Sequence, residues 1–404
     1  MKVLVAHPGT QYSFQLVKQL ERHGLLYQFW TGIAIAENSW IGKLIKLLPG
    51  KLYKKISNRI IDKVPSGKIK TQVKLELKTL RRFGTDETEK IIYERNKLFQ
   101  EFIPDKALLE SDIIIGFDTS SWILIERCKK LGKKFILDVS IAHPLSKKKV
   151  YDQIATVYPD WSFALKHKPD ELISIEQQEM SKADHIVVAS IFSRDTLTEH
   201  NIDKNKITVN PYGVDSNLFH PINKLNTSQK KIRFVFVGLV DARKGVPLLL
   251  EAWKTLEDYD VELTLIGPIT DDIKKLVTQN FPTVIIRGKL SFAEVIKILP
   301  MFDIMVFPSY FEGFGLVILE GMACGLPVIT TKATCGPDVI ANTEDGIVLD
   351  NISLNELSAS MIFFAEKKID LSKMSSLARK KADLFSWNAY GERWKKILKR
   401  TEVV

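Results

Sequence analysis

Residues 303–331 read DIMVFPSYFEGFGLVILEGMACGLPVITT. The stretch opens on one short continuous apolar run, DIMVFPS (303–309), and closes on another, PVITT (327–331). Runs of that length and composition suit strands buried on both faces. Between them lie a loop carrying Gly313 and an apolar helix that should begin near Gly315. Strand, helix and strand in succession predict a parallel pair with a crossover helix.

The alternation extends in both directions. IRFVFVG (232–238), VELTLIG (261–267) and TVIIRG (283–288) read as strands, with helical VPLLLEAWKTL (246–256) and DIKKLVTQ (272–279) between them. In the first half KVLVAH (2–7), DIIIGFD (112–118), KFILDVS (134–140) and HIVVAS (185–190) are strand-like. SFQLVKQLERHG (13–24), DETEKIIYERNKLFQEF (86–102) and ELISIEQQEMSKA (171–183) are helical. The segment 210–231, rich in Asn, Pro, Gly, Ser and Lys, reads as a linker. The expectation is an α/β protein of two Rossmann-like, doubly wound parallel-sheet domains, residues 1–212 and 213–386, with ligands in the cleft beyond the strands' carboxyl ends. The tail FSWNAYGERWKKILKR (385–400) reads as an amphipathic helix capped by Ser386 or Asn388.

Composition is that of a globular protein, 45% hydrophobic and 26% charged among 404 residues. No apolar run nears the ~18 residues of a membrane span, and MKVLVAHPGT does not read as a signal peptide. Three cysteines without metal-like spacing suggest a reduced, cytoplasmic setting. The net charge of +10 is concentrated: residues 36–84 hold 13 Lys or Arg against 3 Asp or Glu. There Trp40, Ile41, Leu44, Ile45 and Leu48 recur at helical spacing among Lys43 and Lys46, and Lys51, Lys54 and Lys55 follow. A basic amphipathic helix of this kind suits the anionic inner face of a membrane; the other reading is a solvated charged face over a buried stripe. Nucleic acid is disfavoured, because the window has no aromatic interleaving to stack bases.

The decisive stretch also raises a chemical question. Its helix, Leu316 to Ala323, is apolar on nearly every side, yet carries Glu320. A carboxylate buried there without a partner would cost several kcal/mol, and a ribose with vicinal hydroxyls would supply donors. Glu312 stands eight residues earlier, at most ~12 Å along a helix. The amides of Phe314, Gly315 and Leu316 make a helix N-terminus suited to an anion, which Gly313 and Gly315 let approach closely. VGLVDARKGVPLLLEAW (237–253) follows the first strand of the second half and brings Arg243 and Lys244 to the same edge, two cations for a diphosphate. Taken singly, each has a plainer reading: Glu320 paired with an Arg, the glycines serving a tight turn, the cations a solvated turn.

Together, Glu312 and Glu320 in PSYFEGFGLVILEGMACGLPVI, RKG (243–245), LIG (265–267), NPYGVDSNLFHP (210–221) and ADHIVVAS (183–190) resemble the GT-B-fold glycosyltransferases of family 4. The resemblance covers about residues 170 to 350, and the first half more loosely. It implies retaining transfer of a sugar from a nucleotide-diphosphate sugar, UDP- or GDP-linked, to a glycan or lipid-linked acceptor in bacterial surface polysaccharide or glycolipid assembly. By it, Glu320 holds the ribose, Glu312 contacts the donor sugar, and Arg243 and Lys244 bind the diphosphate. Gly9, Gly238 and Gly267 belong to the donor site, His143 faces the reacting sugar, and helix 387–404 returns to the first domain. No metal or other cofactor is implied, since the cations and the helix terminus already oppose the charge. Two departures stand out: HPGTQ (7–11) has one glycine where relatives often have two, and Leu239 stands where many carry arginine. Asp258-Tyr259-Asp260, the one D-x-D, reads as a turn. The other function classes are a sugar-nucleotide epimerase on the same fold and a non-catalytic membrane-associated scaffold. A dinucleotide oxidoreductase is disfavoured for want of a third glycine after Gly315.

Overall fold

The computed structural model describes residues 1–10, 12–45, 56–82, 88–165, 167–222, 231–366 and 370–403. Two parallel sheets organise them. The first is built from β1 (Val3–Ala6), β2 (Leu26–Thr31), β5 (Ile69–Thr71), β6 (Ile113–Phe117), β7 (Lys134–Val139), β8 (His185–Val188) and β9 (Ile207–Val209), in the order β5-β2-β1-β6-β7-β8-β9. The second contains β10 (Ile232–Val237), β11 (Val261–Ile266), β12 (Ile285–Gly288), β13 (Ile304–Phe307), β14 (Val328–Thr331) and β15 (Gly346–Leu349), ordered β12-β11-β10-β13-β14-β15. A small pair, β3 (Ile35–Ala36) with β4 (Ile60–Ile61), stands apart.

Helices on both faces explain the continuous apolar runs: every residue of β6 and β13 is buried. One face of the first sheet closes over Leu4, Phe99, Leu124 and Leu137. Its other face shares a core with the second sheet, from Leu16 and Phe29 to Phe234 and Leu319.

The strand orders place the site. In the second sheet β10 pairs directly with β13, Phe234 opposite Ile304. The chain turns outward in opposite directions from this pair, so the loops after β10 and β13 rise side by side at a crevice. These loops carry Arg243, Lys244 and Glu312.

The terminal helix Trp387–Val403 starts as expected, with Ser386 Oγ accepting from the Ala389 amide at 3.1 Å. It lies against helix Ser13–Arg22 of the first half, so closely that a Cβ on Gly391 would fall 2.5 Å from Gln19. Arg393 ties it to the crossing segment through Asn210 Oδ1 at 2.7 Å. The halves also meet at the cleft. Ser190 and Ser193 hydroxyls donate to the Gly313 carbonyl at 2.6 and 3.0 Å, and Asp338 accepts from the Ile191 amide at 3.1 Å.

In the basic window, Trp40 is 72% exposed on helix Trp40–Ile45, with Ile41 and Leu44 exposed beside it and Ile45 buried. Lys43 is exposed; Lys46, Lys51, Lys54 and Lys55 lie outside the described residues. Among the described residues no helix is long and apolar enough to cross a membrane. Cys128, Cys324 and Cys335 are free and buried.

Candidate active site

The loop after β13 turns at Gly315, whose φ of 87° is left-handed, and the next residue begins helix Leu316–Ala323. Glycine alone adopts that conformation without strain. Glu320 then falls one turn into the helix, on the wall of a cavity of about 430 Å³. Gly238, Lys244, Glu312, Gly315 and Leu316 line the same cavity. Among the described residues no side chain or amide donates to the Glu320 carboxylate. Burial raises its pKa to about 7. A carboxylate so placed suits hydroxyl donors, and it lines the cavity.

Glu312 is 9% exposed and held from three sides. Its Oε1 accepts from Arg243 Nη1 at 2.9 Å, from Ser309 Oγ at 2.9 Å and from the Lys244 ammonium. Arg243 also donates to the Phe311 carbonyl at 2.9 Å, and Lys244 lies over the Phe307 ring, 5.0 Å from its centroid. Burial lowers the Lys244 pKa, against the pull of Glu312. For Arg243 burial acts the same way, but Glu312 and Asp241 outweigh it and hold the guanidinium above its usual value. Asp241, itself buried, accepts from the Lys244 amide at 2.8 Å and fixes the turn. The two cations read from the sequence are therefore engaged, their charge directed at one carboxylate oxygen. An anion arriving here meets donors already aligned.

Glycines in this region have unlike duties. A Cβ on Gly245 (φ 73°) would fall 2.0 Å from the Pro308 carbonyl, so the RKG turn and the loop after β13 touch through backbone. Gly267 serves the approach of two strand ends, since its Cβ would fall 1.7 Å from the Gly238 carbonyl. Gly313 meets the first domain: a Cβ there would lie 2.0 Å from the Ser140 carbonyl. Phe314 is buried against Tyr212, ring centroids 5.2 Å apart.

His143 is not brought to this cavity. It is 1% exposed and caps helix Pro144–Val157, its Nδ1 accepting from the Leu145 amide at 3.3 Å. Its ring stacks on His200 at 4.0 Å, and burial with that neighbour lowers its pKa to about 4. Gly9 likewise stays off the wall; a Cβ there would lie 3.0 Å from His7 Nε2. The loop after β1 reaches the cavity through Tyr12 instead. Burial, with Glu320 and Glu312, raises the Tyr12 pKa to about 12. Sequence reasoning missed Tyr12 and also Phe292, 60% exposed and lining the same cavity. An aromatic one residue before helix Ser13–Arg22, on a loop already suspected, was the available signal for Tyr12.

Residues 221–381 match the family Glycosyl transferases group 1. A 41.2 kDa protein of the cps region of Klebsiella pneumoniae is 28% identical over 276 residues, 65% of this chain and 75% of the relative. The MMP alpha-(1->4)-mannosyltransferase of Mycolicibacterium hassiacum is 25% identical over 269 residues, 64% of each chain. Anabaena HepE, solved in complex with UDP, superposes with a TM-score of 0.65 over 99% of this chain and 100% of its own at 14% identity, a likeness of fold. With both sheets and the cleft between them accounted for, the chain has the GT-B fold, and its second half is similar to the group 1 glycosyltransferases over residues 221–381.

Proposed function

We propose that the chain is a retaining glycosyltransferase that moves a sugar from a nucleotide-diphosphate sugar, UDP- or GDP-linked, to a glycan or lipid-linked acceptor. One observation carries the donor reading. Glu320 is half-buried, raised in pKa and, among the described residues, without a donor of its own, on the wall of a cavity that also holds the Glu312–Arg243–Lys244 cluster. A ribose fits the lone carboxylate, and a diphosphate fits the cations and the amides that open helix Leu316–Ala323. Phe292 offers a ring for the base at the mouth. The UDP carried by Anabaena HepE is in keeping with this, and the cps origin of one relative with a role in surface polysaccharide.

The step breaks the bond from the donor's anomeric carbon to the diphosphate oxygen and joins that carbon to the acceptor oxygen. The acceptor's proton leaves with the departing diphosphate. Arg243 and Lys244 oppose the charge that grows on it, and Glu312 keeps both in place. Front-face departure needs neither a covalent carboxylate nor a metal, so transfer should survive EDTA. Anomeric configuration of the product, read by NMR, tests retention.

The donor reading is tested by thermal unfolding with UDP, GDP, ADP, TDP and CMP. A ligand at ~100 times its Kd adds about 2.7 kcal/mol, several degrees for domains of this size. One diphosphate should raise the midpoint, and Glu320→Ala should reduce that rise. No shift with any nucleotide would overturn the reading.

A specific observation supports association with the inner face of the membrane. Trp40, Ile41 and Leu44 are exposed beside Lys43, and helix Val73–Leu80 likewise exposes Val73, Leu77 and Leu80 among Lys74 and Lys78. An anionic surface matches both parts of each helix. Flotation with anionic vesicles should carry the protein, and Trp40→Ala with Leu77→Ala should release it. Binding indifferent to both changes would refute this assignment.

A further inference from the structure

Among its described lining residues, the donor cavity takes one side chain from the first half of the chain. That residue is Tyr12; the others run from Val237 to Glu320. Tyr12 is firmly placed. Its carbonyl accepts from the Gln15 and Leu16 amides at 3.0 and 3.1 Å, which starts helix Ser13–Arg22. Its ring packs on Tyr212 of the crossing segment, centroids 4.0 Å apart, and lies 6.5 Å from the Trp387 ring of the terminal helix. Tyr212 in turn meets Phe314 of the donor loop at 5.2 Å. Phenylalanine would serve that packing equally well.

The hydroxyl is what packing leaves unexplained. Tyr12 is half-buried, and among the described residues its hydroxyl has no hydrogen-bond partner. The charge of Glu320 bears on it, and that of Glu312 after it. Burial, then these two carboxylates, raise its pKa to about 12, so the phenol keeps its proton at neutral pH. The cavity thus sets an unused donor near an unused acceptor, and the two do not bond to each other.

A group that joins them must accept from the phenol and donate to the carboxylate. An alcohol hydroxyl does both. An ionised phosphate oxygen donates nothing, and beside Glu320 and Glu312 it would be repelled. We propose that Tyr12 binds the donor's ribose from the first domain, its hydroxyl donating to the ribose oxygen whose own hydrogen goes to Glu320. The nucleoside is then gripped from both sides of the cleft. This contact presupposes the donor reading above and extends it to the half of the chain outside the matched residues 221–381.

Calorimetric titration of wild type, Tyr12→Phe and Glu320→Gln tests it, with UDP and GDP and with the 2′-deoxy and 3′-deoxy forms of whichever binds. Tyr12→Phe keeps the ring against Tyr212, so the unfolding midpoint of the free protein should barely move. The variant should bind the ribonucleotide about three- to tenfold more weakly, the usual worth of one neutral hydrogen bond. It should bind the deoxy form that lacks the contacted hydroxyl as well as wild type does. Equal weakening toward all three nucleotides would put Tyr12 on the phosphates or the base, and no weakening would reduce it to packing; either result overturns the proposal. If binding falls in Glu320→Gln but not in Tyr12→Phe, the donor reading stands and this contact alone is refuted. If no nucleotide binds wild type, both fall together.

Discussion

At the residue scale the free protein carries a cost that its ligand removes. Glu320 has a folded pKa of about 7 against an ordinary 4.5, because burial disfavours its charge. For an acid raised in this way, the folded state takes up a proton that the unfolded state has already lost. The cost is absent below about pH 4.5, grows through the interval and is complete above about 7. Glu320→Gln should therefore stabilise the ligand-free protein by about 2 kcal/mol at pH 8 and by little near pH 4.5. Thermal unfolding at the two pH values measures it; an equal effect at both would mean the carboxylate is not buried in its charged form. The nucleotide-bound protein should show the reverse, with Glu320→Gln losing the ligand's stabilisation at pH 8.

At the element scale the donor site depends on two glycine turns. Gly245 is left-handed and its missing Cβ would overlap the Pro308 carbonyl, so Gly245→Ala should cost roughly 2–4 kcal/mol by combined strain and clash. Gly315 is left-handed, and a Cβ there would meet only side chains, the Phe307 ring tightly at 3.2 Å, so Gly315→Ala should cost less, roughly 1–2 kcal/mol. Chemical denaturation of the pair orders the two; Gly315→Ala proving the worse would contradict the geometry. These turns were legible in the sequence because glycine, charge and apolar period changed together within a few residues. The apolar runs at 112–118, 134–140 and 232–238 were legible for a related reason, since a strand buried on both faces has no polar period to confuse. The strand Leu26–Thr31 was not: LYQFWT mixes Gln with aromatics, and only tertiary packing decides its state. Nor could sequence separate His143 of the helix cap from a histidine at the site, because both readings put it after a strand and before a helix. Tyr12 was hidden because only tertiary packing brings it to the cavity.

At the scale of the whole molecule the donor loop has contacts on both sides of the cleft. The Gly313 carbonyl takes two hydroxyls from the first domain, and no Cβ fits between it and Ser140. Gly313→Ala should hold the halves apart. The cavity lining is drawn mostly from the second half, so nucleotide-induced stabilisation should persist while transfer falls at least tenfold. Small-angle scattering should show a larger radius of gyration for the variant; an unchanged radius with full activity would refute the closure argument. That one carbonyl also limits how the halves can be recombined. A hybrid that joins this second domain to a foreign first domain inherits a donor loop whose shape depends on two hydroxyls at the start of helix Ile191–Glu199. Grafting for a new acceptor would succeed only with first domains that carry hydroxyls at the positions of Ser190 and Ser193.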